Sequence, residues 1–259
     1  MKKAILTVSF GTSYEESRKK TIDNIEKEIA ERYTQFQVYR AWTSTRIRRK
    51  IEKRDGIVIP DVQTAMQQIK RDGNEVVVVQ PLYVINGMEY ERMTEDVKAF
   101  EGEIRKIVVA DPLLTTQKDG EQTALAIIEE LQPASDEIFL LIGHGTVHYA
   151  NFVYAAMDYI FTEKGYSNIC MGTVDAYPDQ EAVLKKIKKS PSKRLFLVPF
   201  MLVAGEHANK NLAGNEKDSW KNRFADEGYE VSCILKSLGE YPKIQKIFLQ
   251  HTEEAIQRL

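Results

Sequence analysis

The sequence predicts an α/β protein made of two similar halves, each a four-stranded parallel sheet flanked by helices. Two observations predict it. Short apolar runs alternate with longer segments of helical spacing along the whole chain, the pattern of a parallel sheet covered by helices. The punctuation also repeats: Pro81 and Pro199 stand 118 residues apart, and so do Gly87 and Gly205. In that register PLYVINGME matches PFMLVAGEH, and VSFGT at Val8–Thr12 matches IGHGT at Ile142–Thr146. Proline and glycine at matched offsets after matched strands mark an internal repeat.

Each element has a local reason. Ala4–Phe10 is an apolar strand, and Gly11-Thr12-Ser13 a turn with a helix N-cap. Tyr14–Tyr33 carries Ile22, Ile25 and Ile29 at helical spacing. Phe36–Ala41 is the second strand. Thr45–Arg54 is a basic helix stopped at Asp55-Gly56, and Asp61–Arg71 a helix stopped at Asp72-Gly73. Glu75–Gln80 is a strand closed by Pro81, Met88–Phe100 a helix, and Ile104–Ala110 a strand. Gly120–Leu131 is helical. The second half then runs through a strand at Ile138–Ile142, a helix at Tyr149–Gly165 and a strand at Ile169–Val174. A helix at Gln180–Lys189, a strand at Leu195–Val198, a long helical stretch at about His207–Glu227 and a strand at Tyr229–Leu235 come next. Ile244–Leu259 is the last helix.

Composition bounds the function. The chain has 259 residues, 43% apolar and 29% charged, with a formal net charge of −2. That balance gives no argument for nucleic acid or an acidic membrane surface. No run approaches the ~20 apolar residues of a membrane span. The short apolar stretch after Lys2-Lys3 reads as a core strand rather than a signal peptide, so a cytoplasmic protein is expected. Cys170 and Cys233 lie far apart in apolar segments and read as buried free thiols. There is no G-x-x-x-x-G-K-[ST] loop, no G-x-G-x-x-G, no G-x-S-x-G and no H-E-x-x-H, so no nucleotide cofactor is expected.

The four histidines carry the chemical argument. His144 sits between Gly143 and Gly145 at the carboxyl end of a buried strand, where open α/β sheets place their ligands. His207 occupies the equivalent strand end after Val-Ala-Gly-Glu. One such histidine is equally a satisfied structural side chain. Two at matched strand ends point to one metal site, because imidazole nitrogens suit borderline divalent ions such as Co²⁺, Ni²⁺, Fe²⁺ and Zn²⁺. Asp175, in GTVDAYPD, is either a third ligand or a turn residue before Pro178. Glu206 is a weaker candidate, and His148 could only support the site. His251, amid Gln, Thr and Glu, is expected to be solvated. In the repeat Phe10 takes the place of His144 and Glu89 that of His207, so the imidazoles come from the second half and a carboxylate from the first. Glu89 is either a proton acceptor or an ordinary first-turn glutamate. The basic run Arg46, Arg48, Arg49, Lys50, Lys53 and Arg54 is either a solvated helix face or a dock for a polyanion.

At LTVSFGTS, INGMEYE, LIGHGT, GTVDAYP and VPFMLVAGEHANKN followed by DSWK, the chain resembles the CbiK-type sirohydrochlorin cobaltochelatases of anaerobic cobalamin synthesis. The resemblance covers nearly the whole chain. It implies a class II chelatase fold: two flavodoxin-like (chelatase-like) halves with a cleft between them. The halves would be 1–118 joined by the last helix, 244–259, and 119–243, carrying the histidines. It implies a lyase that inserts Co²⁺, as substrate metal, into a small-molecule tetrapyrrole without ATP, with Ni²⁺, Fe²⁺ or Zn²⁺ as substitutes. Iron or nickel insertion, precorrin-2 in place of sirohydrochlorin, and a non-catalytic metal or tetrapyrrole carrier stay open, as does a homo-oligomer. Carried over by position, His144 and His207 bind metal and take part in catalysis with Glu89. The family commonly has Glu where this chain has Asp175, and Asp where Glu206 stands. An aspartate is one methylene shorter, so metal ligation by Asp175 is an expectation on its own.

Overall fold

The computed structural model describes residues 1–259. In chain order the elements are β1 (Lys2–Ser9), α1 (Glu15–Lys20), α2 (Ile22–Arg32), β2 (Gln37–Trp42), α3 (Thr45–Asp55), α4 (Val62–Arg71), β3 (Asn74–Pro81), α5 (Met88–Lys98) and β4 (Lys106–Val109). Then come α6 (Gln117–Leu131), β5 (Glu137–Gly143), α7 (Phe152–Glu163), β6 (Ile169–Thr173), α8 (Gln180–Ile187), β7 (Arg194–Pro199), α9 (Trp220–Asp226), β8 (Glu230–Cys233) and α10 (Pro242–Gln257). The chain divides into two compact units, Met1–Thr115 with Ile244–Leu259, and Thr116–Lys243.

The first unit holds a four-stranded sheet in the order β2-β1-β3-β4, all parallel. Central strands of such a sheet are covered on both sides, which is why β1 and β3 read as unbroken apolar runs. Leu6, Val8, Val77 and Val79 pack with Val62, Met66 and Ile69 of α4 and with Met93 and Val97 of α5. Ile22, Ile25 and Ile29 of α2 are fully buried, as are Ile244 and Phe248 of α10. The last helix is fastened to this unit by polar contacts as well. The Tyr33 hydroxyl donates to the Glu253 carboxylate at 2.9 Å, and Asn24 and Gln245 pair through their amides at 3.0 Å.

The second unit repeats the arrangement with β6-β5-β7-β8, again all parallel. Its core joins Ile138, Leu140 and Ile142 of β5 with Leu195 and Leu197 of β7 and with Trp220 and Phe224 of α9. Both sheets share one strand order, so the punctuation repeat is a repeat of structure.

Four expectations need correction. The segment Tyr14–Tyr33 is two helices, because Thr21 adopts φ −117° and ψ −90° and its hydroxyl donates to the Ser17 carbonyl at 2.5 Å. A threonine that bonds back to the preceding turn competes with the helical ladder. The stretch His207–Glu227 is also not one helix: Ala208–Leu212 forms a π-turn, and α9 starts only at Trp220. Gly214 and the polar run to Ser219 interrupt it, and the Ser219 hydroxyl caps α9 by accepting from the Asn222 amide at 3.2 Å. His251 is not solvated: it is 3% exposed and its Nδ1 lies 3.2 Å from the Asp111 carbonyl. It lies on the same helical face as Ile244, Ile247, Phe248 and Ala255, a spacing that its polar sequence neighbours obscure. Cys170 is buried, whereas Cys233, at the end of the edge strand β8, is only half-buried.

Candidate metal centre

The carboxyl ends of β5, β6 and β7 lie side by side, so the loops leaving these three strands gather at one edge of the second unit. Beyond β5 the chain turns through Gly143-His144-Gly145. Both glycines are required. A Cβ on Gly143 would sit 2.2 Å from the ring of buried Tyr154, and Gly145 has φ +81° with its Cβ position 2.8 Å from the Thr173 side chain. Only glycine adopts that conformation without strain. The Tyr154 hydroxyl accepts from the Gly145 amide at 3.4 Å, which ties the turn to α7.

The turn after β6 is fastened to this one by its backbone. The Val174 amide donates to the Gly143 carbonyl at 3.0 Å and the Asp175 amide to the His144 carbonyl at 2.9 Å. Asp175 is therefore set beside His144, and its carboxylate lies 3.4 Å from the imidazole Nδ1. From the end of β7, His207 leads into the π-turn. Its ring meets that of His144 edge to face, with centroids 4.4 Å apart and planes inclined at 63°.

His144, Asp175 and His207 each present one ligand atom, and the three atoms lie within 4.8 Å of one another. Metal–nitrogen bonds of ~2.1 Å put two ligands of a tetrahedral ion about 3.4 Å apart. Small side-chain rotations close that difference. Three protein ligands would leave further positions for water or for substrate nitrogen. The donor set, two imidazoles and one carboxylate, suits a borderline divalent ion.

Electrostatics favour the ligating form of His207. Burial, and after it the neighbouring His144, hold its pKa below the ordinary imidazole range, with Asn211, Asp175 and Glu206 pulling the other way. Its Nδ1 lies 3.0 Å from the Asn211 side-chain oxygen. A ring that donates there keeps Nε2 unprotonated and free to bind metal. Asn211 does not stand out in the sequence. Its one signal is the i, i+4 spacing from His207, which carries meaning only once that segment turns. Tyr154 is hidden for the same reason: its role lies in the space that Gly143 leaves.

The other candidates are engaged elsewhere. Glu89 stands in the first turn of α5, in the first unit, and pairs with Arg92 at 3.3 Å. His148 accepts from the Ala150 amide at 3.2 Å, its ring lies against Tyr149, and it is outside the three-residue set. Glu206 pairs with Lys210 at 2.8 Å. In the basic run Arg48 pairs with Asp61, and the remaining five side chains are exposed along α3.

Two parallel sheets of one topology, one of them gathering imidazoles and a carboxylate at its strand ends, fit the chelatase class to which the family match assigns the chain. Within that class the chain belongs to the cobalt chelatase (CbiK) family, which it matches over residues 3–257. It is 34% identical over 257 residues to the sirohydrochlorin cobaltochelatase of Salmonella typhimurium, covering 99% of this chain and 97% of that protein. It is 28% identical to the sirohydrochlorin cobaltochelatase CbiKC of Nitratidesulfovibrio vulgaris, covering 100% of this chain and 92% of that one. Among solved structures, the sirohydrochlorin chelatase SirB of Bacillus subtilis in complex with cobalt shares the fold, with a TM-score of 0.68 at 14% identity, over 100% of this chain and 97% of the other.

Proposed function

We propose that the protein inserts Co²⁺ into sirohydrochlorin without hydrolysing ATP. The observation that carries the reading is the meeting of His144, His207 and Asp175 at one edge of the sheet, in a chain of the cobalt chelatase family. In this reading the two imidazoles hold the incoming Co²⁺, and Asp175 completes the set from beside His144. Positions left open on the ion accept the pyrrole nitrogens. Each metal inserted displaces two N–H protons from the macrocycle, so a base must take them. Glu89 is the carboxylate that the family resemblance assigns to this task, and a histidine released by the metal is the other group able to do it. Sirohydrochlorin carries peripheral carboxylates, and binding energy gained there sustains a bent ring whose nitrogen lone pairs are exposed. No helix is long and apolar enough to cross a membrane, and we place the reaction in the cytoplasm.

The test is anaerobic incubation of the protein with sirohydrochlorin and Co²⁺, monitored by absorbance, with Fe²⁺ and Ni²⁺ as parallel arms. More than one equivalent of cobalt product per protein is expected. A single equivalent would make the protein a carrier. His144→Ala combined with His207→Ala should abolish insertion while circular dichroism is unchanged; insertion retained by that variant would reject the assignment. Glu89→Gln should lower kcat without weakening Co²⁺ binding to the protein alone.

A further inference from the structure

His144 and Asp175 stand on separate turns, and a side chain outside the ligand set bridges those turns. Asn151 is half-buried and closes the short helical turn that leads from His148 into α7, with φ −59° and ψ −24°. Its side-chain oxygen accepts from the Thr146 amide at 3.0 Å, and its side-chain nitrogen donates to the Tyr177 carbonyl at 2.6 Å. Thr146 is two residues beyond His144, and Tyr177 two beyond Asp175. Nearer the strands the same two turns are joined directly, by the Asp175 amide on the His144 carbonyl at 2.9 Å. Two segments pinned at one place can pivot; pinned at two places they keep one relative orientation.

The bridging residue is itself held. α7, which it precedes, buries Tyr154, Met157 and Phe161. The Asn151 amide donates to the His148 carbonyl at 2.9 Å, and the Thr146 hydroxyl accepts from the His148 amide at 3.1 Å. A carboxamide offers an acceptor and a donor side by side, which is what an amide on one turn and a carbonyl on the other require. An aspartate here would turn an acceptor on the Tyr177 carbonyl, and an alanine would reach neither turn. We propose that Asn151 is a positioning residue for the metal centre: it holds the Asp175 turn so that the carboxylate, 3.4 Å from the His144 ring, shares one ion with the imidazoles. The proposal rests on the chelatase reading above and adds what makes Asp175 a ligand rather than a turn residue.

Co²⁺ binding measured without tetrapyrrole reads the centre alone. Asn151→Ala suits the helical backbone and should leave the melting temperature unchanged. It should weaken Co²⁺ binding by about tenfold, and the visible bands of the bound ion should shift as water replaces the carboxylate. Asn151→Asp keeps the size and the Thr146 bond and loses only the bond to Tyr177, so its cobalt spectrum should match that of Asn151→Ala. In an Asp175→Ala background Asn151→Ala should bring no further loss, because the two residues act as one unit. With sirohydrochlorin, Asn151→Ala should raise KM for Co²⁺ by about tenfold and keep kcat at saturating metal. Wild-type affinity and spectrum in Asn151→Ala would overturn the proposal and leave the chelatase reading intact. An equal loss with and without Asp175 would make Asn151 a structural residue of the loop and overturn it as well. A protein whose cobalt spectrum responds as expected but which inserts no metal would overturn the chelatase reading and uphold the role of Asn151.

Discussion

An imidazole whose Nδ1 donates to a neighbour has only Nε2 left for a metal, and Asn211 makes that choice for His207. Asn211→Leu should therefore lower Co²⁺ affinity by roughly 10–100-fold, measured by calorimetry on a protein whose melting temperature is unchanged. The lowered pKa of His207 gives a second expectation. Protons compete with metal for the same nitrogen. A ring that resists protonation keeps binding through neutral pH, and its contribution falls only as pH drops below the ordinary imidazole value of about 6.5. The same shift acts on stability in the metal-free protein. The unfolded chain binds the proton more tightly than the folded one, so His207's contribution is present above about pH 6.5 and lost as pH falls. Denaturant titrations at pH 7.5 and 5.5 check the sign. His144, His207 and Asp175 were legible in the sequence because glycines and strand ends isolate them, and the fold brings these three together. Asn211 was not legible, since its contact depends on a π-turn that no local propensity announces. His251 misled because a polar neighbourhood in sequence became an apolar face in space.

The element that fixes the centre is the Gly-His-Gly turn, and its tolerance for change is small. Gly145→Ala would force a side chain into φ +81° with its Cβ 2.8 Å from Thr173. A cost of about 1–3 kcal/mol is expected, together with weaker Co²⁺ binding because the Asp175 amide bonds to this turn. Gly143→Ala would drive a methyl into the ring of Tyr154. Gly143→Ala with Tyr154→Leu, which removes part of that ring, should recover some of the lost melting temperature. The central strands β1, β3, β5 and β7 were legible as short apolar runs, because central parallel strands are covered on both faces. Helix interiors were legible from spacing, and helix breaks were not. Thr21 and the segment after His207 end their helices through hydroxyl back-bonding and a glycine-bounded polar run, choices decided by hydrogen bonds rather than by periodicity.

At the scale of the molecule, the repeat gives two sheets of identical order different strand ends: His144, Asp175 and His207 gather on one, and the other has no such group. Phe10, at the strand end that His144 occupies in the other unit, is 46% exposed and can ligate nothing. The first unit takes its last helix from the far end of the chain. Removing residues 243–259 would uncover the faces that Ile244, Ile247, Phe248 and Leu249 bury. Protease cleavage is expected within 1–115 of such a protein, with 116–242 resistant; equal resistance throughout would show α10 to be dispensable. The same connectivity orders events on the ribosome. All of Thr116–Lys243 is translated before the helix that closes the earlier unit. The part begun first therefore waits, its apolar groove open to chaperones, until the whole of the other part has been made and α10 has followed it.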